Sequence, residues 1–175
     1  SPPEKYLDIY RNKNLTYRDN VPEDKPWYSK PHWNCDYDLD TFIERYYGEI
    51  SHLDAAFGRV LDKIEETGLI KNTIVIFTSD HGEMMGSHGL YSKGVMNEEA
   101  IHIPLIIRYP GGRKGRTDGL FSSVDFMPTL LELCDISDKL NSKNQDCQMS
   151  NDLVDVFKTF EGKSYASLIR GEKQE

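Results

Sequence analysis

The sequence predicts an α/β fold, built on part of a large and mostly parallel sheet that is flanked by helices. Two apolar stretches, "NTIVIFTSD" and "IPLIIRYPG", are rich in β-branched and aromatic residues and lack regular alternation with polar ones. Such stretches are typical of strands that helices cover on both faces of a parallel sheet. Helical patterns precede, separate and follow the two stretches, as expected when strands and helices alternate along a chain.

Composition narrows the classes of function. The chain has 175 residues, a length that suits one ordinary domain, and it carries 29 acidic against 21 basic residues. With a net charge of −8 and no interleaving of basic and aromatic residues, nucleic acid is a poor candidate partner. No apolar run approaches the roughly 18 residues that span a bilayer, and no signal segment opens the chain. Three cysteines without CxxC spacing indicate neither a disulfide framework nor a zinc knuckle. The sequence is compatible with a periplasmic, a secreted and a cytoplasmic location.

The first half of the chain divides into an irregular lead-in and a long helix. Residues 1–40 show no sustained period, and we expect mostly loop with one short helical turn in "PEKYLDIY". From Thr41 to Ile64, apolar residues recur every three or four positions, which predicts a long amphipathic helix. Thr41 is the expected N-cap with Glu44 completing a capping box, and Gly68 is expected to end the helix.

The second half supplies the rest of the predicted core, which we place at 41–136. A short helix over 97–102 would connect the two strands, and "SSVDFMPTLLELCD" predicts another helix that is interrupted or begun near Pro128. Residues 137–152 are polar and nearly free of large apolar side chains, as in a surface insertion. Residues 153–175 regain apolar content and are expected to pack back on the domain.

Polar residues follow the first predicted strand at the point where it ends. In open parallel sheets, ligands bind at the carboxyl ends of the strands, and Asp80 and His81 stand there. A carboxylate beside a neutral imidazole suits a divalent cation. The aspartate favours Ca²⁺ or Mg²⁺, whereas the histidine favours Mn²⁺ or Zn²⁺. Glycines at 82, 86 and 89 would let the backbone bend closely around the site. Two ligands make an incomplete site, so we expect the others to lie outside this chain.

The same residues can also be interpreted as having structural roles without a metal or substrate site. Asp80 could cap a following helix within a simple turn. Taken singly, His88 is a loop histidine with a backbone partner and Lys93 is a solvated charge. Met84 and Met85 are expected to serve in packing rather than as ligands.

A longer motif favours a functional site over these ordinary roles. The stretch "FTSDHGEMMGSHGLYSKGVMNEEAIHIPLIIRYPG" closely resembles the sulfatase family of the alkaline-phosphatase superfamily. Four further stretches resemble successive sulfatase segments in the same order: "SPPEKYLDIY", "YYGEISHLDAAFGRVLDKIEETGLIKNTIVIFTSD", "SSVDFMPTLLELCDI" and "FEGKSYASLIRGE". The resemblance covers most of the chain except roughly 11–40 and 137–152. It implies the alkaline-phosphatase-like fold of sulfatases, incomplete in this chain.

The resemblance also implies roles for individual residues. Asp80 and His81 are similar to the family's second pair of metal ligands, with Ca²⁺ the first expectation and Mg²⁺ or Mn²⁺ as alternatives. Lys93 matches the lysine that contacts the sulfate and stabilises developing negative charge. His88 is expected either to line the substrate pocket or to shape the loop. Glu98 and His102 are expected to hold the loop through a local polar contact, with His102 standing where arginine is common in the family.

Parts of the family's pattern are missing: the nucleophile motif, the N-terminal acidic metal ligands and the histidine of an H-x-P-H-like segment. Sulfatases carry C-x-P-x-R or S-x-P-x-R, whose first residue becomes the formylglycine nucleophile, and no such motif occurs in this sequence. We therefore expect residues 1–175 to be a fragment of one sulfatase catalytic domain, with formylglycine upstream. The rest of the polypeptide would be needed for activity on a small-molecule or carbohydrate sulfate ester. The alternatives are a phosphonate or phosphate mono- or diester hydrolase of the same superfamily, and a non-catalytic binding domain with this fold.

Overall fold

The computed structural model describes residues 1–23, 38–136 and 159–172. The predicted insertion at 137–152 and the start of the last packing segment lie outside the described residues. The helices are α1 (Glu4–Leu7), α2 (Leu39–Glu66), α3 (Glu98–Ile101), α4 (Ser123–Leu133) and α5 (Ala166–Arg170), and the strands are β1 (Val75–Thr78) and β2 (Leu105–Arg108). Short 3-10 turns occupy Leu69–Asn72 and Ser87–Gly89.

Helix α2 is the long helix that the apolar spacing predicts, but its predicted start was wrong. The N-cap is Asp38, whose carboxylate accepts the backbone N–H of Thr41 at 2.8 Å, so that Thr41 lies inside the first turn. Aspartate is among the strongest N-cap residues because its side chain satisfies a backbone donor that the helix leaves unpaired. The predicted end is confirmed, since Gly68 follows the C-cap with φ +73°.

Helix α1 confirms the predicted turn in the lead-in and packs against α2. Gly48 permits this approach, because a Cβ at that position would lie only 3.1 Å from Pro2 Cγ and 3.2 Å from Leu7 Cδ2. The Tyr10 hydroxyl and the Ser51 hydroxyl are 2.7 Å apart, which ties the end of the first segment to the middle of α2.

Strands β1 and β2 are hydrogen-bonded neighbours in a sheet that has two strands within the described residues. The prediction that both are buried on two faces was wrong for this chain. The first three residues of β1 are half-buried, and β2 alternates between half-buried and exposed positions, with Ile106 63% exposed. A strand is buried on both faces only where layers cover both faces of its sheet. The packing of Phe77 against Phe57 of α2, with ring centroids 5.2 Å apart, covers part of β1.

The chain divides into two compact units. The first contains residues 1–72 and 76–106, and it holds every candidate site residue; the second contains residues 73–75 and 107–175. Within the second unit, side chains of α4 form hydrogen bonds with the segment that precedes α5. The carboxylate of Asp125 accepts the backbone N–H of Lys163 at 2.8 Å, and the Thr129 hydroxyl accepts that of Tyr165 at 3.0 Å. These two bonds hold Lys163 and Tyr165 against α4.

Helix α4 begins five residues before the proline near which an interruption was predicted. It runs continuously from Ser123 through Pro128 to Leu133. Ser122 and Asp125 form a capping box in which the Asp125 carboxylate accepts the Ser122 backbone N–H at 2.9 Å. Pro128 lies inside the helix, where it has no N–H to bond the carbonyl four residues earlier. The cap at Ser122 therefore sets where α4 begins.

Among the residues that the structure describes, no helix has both the length and the apolar character that crossing a membrane requires.

Candidate active site

A compact loop, residues 79–94, leaves the end of β1 and carries Asp80, His81, His88 and Lys93. Backbone hydrogen bonds fold it on itself, from Met84 N to Ser92 O at 2.9 Å and from Gly86 N to Leu90 O at 3.0 Å. Met84 and Ser87 are fully buried beneath it, so the predicted packing role of Met84 is confirmed. The polar groups named above are thus held by a folded loop with its own small core.

Gly82 fixes this loop against the end of α3. Its N–H donates to the carbonyl of Ala100 at 2.8 Å, and a Cβ at this position would lie 2.0 Å from the carbonyl oxygen of Glu99. No side chain fits in that space, which accounts for a glycine directly after His81.

The loop also concentrates unusual backbone conformations. Three residues other than glycine have positive φ: Met85 at 52°, His88 at 55° and Ser92 at 68°. Each such residue costs roughly 1–3 kcal/mol and persists only where surrounding contacts hold it. Strain of this kind concentrates at functional sites, and here it lies between His81 and Lys93.

Asp80 and His81 converge, as the adjacency of the two residues suggested. Asp80 Oδ2 lies 3.3 Å from His81 Nε2, and the other carboxylate oxygen accepts the His81 backbone N–H at 3.0 Å. The second ring nitrogen of His81, Nδ1, lies 2.8 Å from the carbonyl oxygen of Gly82. Since a carbonyl only accepts, Nδ1 carries a proton, and Nε2 is the ring nitrogen that faces Asp80.

The Asp80 carboxyl is 83% exposed and has a lowered pKa. Partial burial raises this pKa, but the electrostatic interaction with His81, backbone N–H donors and the Ser79 hydroxyl together outweigh that effect. Asp80 is therefore a carboxylate at neutral pH, which is the form that binds a cation.

Lys93 joins the same pair. Its Nζ lies 2.6 Å from His81 Nε2, although twelve residues separate the two along the chain. The ammonium group donates, so Nε2 is the acceptor in this contact while Nδ1 donates to the Gly82 carbonyl. A carboxylate oxygen, an imidazole lone pair and an ammonium group thus meet at one exposed point.

The chemistry of this pair fits a divalent ion. Histidines that bind metals usually donate their other ring N–H to a carboxylate or backbone carbonyl, and His81 does so to Gly82. The Lys93 ammonium shows that positive charge is accepted at His81 Nε2. Within residues 1–23, 38–136 and 159–172, however, no cluster of three or more histidine, cysteine, aspartate or glutamate side chains has the arrangement of a complete metal site.

His88 is held by the lead-in segment, which the sequence did not suggest. Its backbone N–H donates to the carbonyl of Asn20 at 2.9 Å, and its ring Nε2 lies 3.2 Å from Asn20 Nδ2. The same amide nitrogen contacts the Glu99 carboxylate at 2.5 Å. His88 is exposed, so these contacts orient the ring without burying it.

Arg18 is a second contact from the lead-in. Its guanidinium donates to the carbonyl of Glu83 at 3.3 Å, next to the buried Met84. Neither Arg18 nor Asn20 belongs to a periodic pattern or a motif in the sequence, and each is more than sixty positions from its partner. An Arg-x-Asn pair in an irregular segment carries no local signal of this function.

The expected contact between Glu98 and His102 is present. His102 Nδ1 and Glu98 Oε1 are 2.6 Å apart across the single turn of α3. Because α3 also supplies the carbonyl of Ala100 to Gly82, this contact stabilises the turn on which the loop rests.

Comparison with known proteins decides the family. The sequence model of the Sulfatase family matches residues 2–136, well over half of the chain. The chain belongs to the sulfatase family. An arylsulfatase of Clostridium perfringens is 43% identical over 97 residues, which cover 53% of this chain and 20% of that protein.

Solved structures agree with this assignment. A Bacteroides thetaiotaomicron protein, solved in work on the metabolism of multiple glycosaminoglycans, matches with a TM-score of 0.75 and 29% identity over 99% of this chain and 31% of its own. A phosphonate monoester hydrolase of Silicibacter pomeroyi matches with a TM-score of 0.62 and 28% identity over 80% of this chain and 25% of its own.

These matches confirm the predicted alkaline-phosphatase-like α/β fold for this sulfatase-family chain. The chain spans about a fifth of the length of two curated relatives that it matches, the arylsulfatase and an endo-4-O-sulfatase of Bacteroides thetaiotaomicron.

Proposed function

We propose that this chain carries part of the active site of a sulfuric ester hydrolase. The observation that supports it best is the convergence of Asp80 Oδ2 and Lys93 Nζ on His81 Nε2, at 3.3 and 2.6 Å, in a loop that matches the sulfatase family. Such a point offers two ligands for a cation and one positive group for an anionic ester.

Each residue has a distinct part in this proposal. Asp80 and His81 would hold a divalent ion, with Ca²⁺ favoured because a carboxylate is a hard oxygen ligand, and Mg²⁺ or Mn²⁺ as alternatives. When bound, such an ion polarises the sulfate oxygens. Lys93, released from His81, would place its ammonium against the ester and stabilise the negative charge that develops in the transition state. His88 would line the pocket as a polar contact for the substrate.

The nucleophile and the remaining ligands would come from outside these 175 residues. The family's nucleophile is formylglycine, and none of the three cysteines lies in the motif that is converted to it. The proposed substrate is a sulfate ester of a small molecule or a carbohydrate, and the proposed site needs the rest of the polypeptide.

A second candidate is hydrolysis of phosphonate or phosphate mono- or diesters. The similarity to the Silicibacter pomeroyi phosphonate monoester hydrolase, with a TM-score of 0.62, favours it specifically. Sulfate and phosphonate esters are both tetrahedral oxyanions, so Lys93 would stabilise charge on either. A non-catalytic binding domain is the third candidate.

Turnover by the full-length protein distinguishes the three. The purified protein, loaded in turn with Ca²⁺, Mg²⁺ or Mn²⁺, is given an aryl sulfate, an aryl phosphonate and an aryl phosphate mono- and diester at matched concentrations. We expect the highest kcat/KM for the sulfate and its loss in Asp80→Ala. Faster hydrolysis of the phosphonate or a phosphate ester would establish the second candidate, and no turnover of any ester by metal-loaded protein would favour the third.

A further inference from the structure

Asn20 connects the lead-in segment to two side chains at the candidate site. Its side-chain nitrogen Nδ2 lies 3.2 Å from His88 Nε2 and 2.5 Å from Glu99 Oε1. Its backbone carbonyl accepts the His88 backbone N–H at 2.9 Å. One residue thus holds both the backbone and the ring of His88.

The Glu99 carboxylate determines how the Asn20 amide is oriented. An ionised carboxylate only accepts hydrogen bonds, so the group of Asn20 that faces it must be the NH₂. The hydrogen bond from Asn20 is the largest cause of the lowered pKa of Glu99, which keeps that carboxyl ionised. The two hydrogens of the amide then serve two acceptors, Glu99 Oε1 and His88 Nε2.

A histidine nitrogen that accepts a hydrogen bond carries no proton. Because His88 Nε2 faces a donor, the proton of the neutral ring lies on Nδ1. His88 is exposed, so its Nδ1–H is available as a donor to an anion.

We propose that Asn20 is a positioning residue that fixes His88 as the Nδ1–H tautomer, so that the ring offers an N–H donor to the oxygens of a sulfate ester. This inference rests on the proposed function for its substrate, but the state of the ring is a property of the protein alone. An asparagine is needed for this because an aspartate at position 20 would accept from Nε2–H and leave Nδ1 as an acceptor. It would also place a second carboxylate beside Glu99.

The backbone contact allows the side chain to be tested separately. The bond from the His88 N–H to the Asn20 backbone carbonyl is made by main-chain atoms and does not involve the side chain at position 20. Asn20→Asp keeps the size of the side chain and reverses its role towards Nε2. Asn14→Asp is the matched control, since it makes the same change of charge at an exposed position of the same segment.

The first measurement is the imidazole ¹⁵N spectrum of the substrate-free full-length protein above pH 8, assigned to His88 by comparison with His88→Ala. We expect a protonated Nδ1 and an unprotonated Nε2 in the wild type and in Asn14→Asp, and a protonated Nε2 in Asn20→Asp. A protonated Nε2 in the wild type, or the same tautomer in wild type and Asn20→Asp, would overturn the proposal.

The second measurement connects the tautomer to the reaction. Asn20→Asp should lower kcat/KM for an aryl sulfate on the order of tenfold, the effect of losing one hydrogen bond to a charged group. In a His88→Ala background it should have no further effect, and an equal loss in both backgrounds would show that Asn20 does not act through His88. Absence of sulfate turnover with the expected ¹⁵N spectrum would contradict the proposed function and the sulfate contact while leaving the tautomer assignment supported.

Discussion

The two nitrogens of the His81 ring contact different groups, and the contacts of Nε2 define the candidate site. Nδ1 is committed to the Gly82 carbonyl at 2.8 Å, which leaves Nε2 to face both Asp80 and Lys93. The sequence predicted these three residues as members of one site because a strand and a recognisable loop carry them. It did not predict Arg18 and Asn20, because their contacts join distant positions and depend on the tertiary fold alone.

Lys93 is the residue for which catalysis and stability are easiest to separate. Its side chain is exposed, so Lys93→Ala should change the free energy of unfolding by no more than about 0.5 kcal/mol. If the full-length protein is the proposed sulfatase, its kcat/KM for an aryl sulfate should fall by a factor on the order of 10² or more, as for the loss of one charge-stabilising donor. Steady-state kinetics and thermal melting test both parts.

Lys71 provides the control for Lys93, because it is an exposed lysine in the same unit, before β1. Lys71→Ala should leave both kinetics and melting temperature close to those of the wild type. A Lys93→Ala protein with unchanged kcat/KM and a lower melting temperature would assign Lys93 to the fold rather than to the reaction.

The sequence predicted which helices and strands the chain forms better than it predicted the residues at which they begin. The periodic apolar residues of α2 and the β-branched run of β1 identify both elements, since burial of one face or of a whole strand requires those patterns. The limits depend on single side chains. Asp38 begins α2 three residues before the predicted cap, and Ser122 begins α4 ahead of Pro128, because a satisfied N-cap outweighs a nearby proline.

Asp125 connects the start of α4 to the last described segment, and its loss should be visible in stability. Hydrogen bonds from the backbone N–H groups of Ser122 and Lys163 lower its pKa, so the ionised form is stabilised by folding. Asp125→Asn should reduce the free energy of unfolding by about 1–3 kcal/mol at pH 7, the range for hydrogen bonds to a charged group.

The pH dependence gives this prediction a second test. Because the folded-state pKa of Asp125 is lowered, its contribution is present above the unfolded-state pKa of about 4 and is lost as the pH falls through the folded-state value. The stability difference between wild type and Asp125→Asn, measured by urea unfolding, should therefore shrink from pH 7 to pH 3. A difference that stays constant, or that matches Asp118→Asn at an exposed position, would contradict this role.

At the scale of the whole molecule, large apolar residues of several elements are exposed. One face of α2 carries large apolar residues at helical spacing that solvent reaches: Tyr46, Tyr47, Ile50, Leu53 and Val60. The sequence correctly predicted an amphipathic helix and an α/β fold, but the pattern alone does not specify which atoms cover a face. The same holds for β1 and β2, whose apolar sequences did not specify how far each strand is covered.

This exposed face should cause the isolated 175-residue chain to self-associate, because contiguous apolar patches promote association. Leu53, which is 56% exposed, lies in the middle of the face, so Leu53→Lys should shift the chain towards the monomer in sedimentation velocity. Leu120→Lys makes the same change at an exposed leucine of the second unit and should have little effect. Equal association of the two variants and the wild type would show that α2 is not the surface responsible.

The central claim is that Asp80 and His81 bind a divalent metal ion in the full-length protein. Metal content of the purified protein, determined by elemental analysis beside Asp80→Ala and His81→Ala, tests it most directly. The geometry predicts a stoichiometric divalent ion in the wild type and a substantial loss in both variants, because each removes one of two atoms that lie 3.3 Å apart. Equal, stoichiometric metal in all three proteins, or none in the wild type after incubation with Ca²⁺, Mg²⁺ and Mn²⁺, would contradict the assignment.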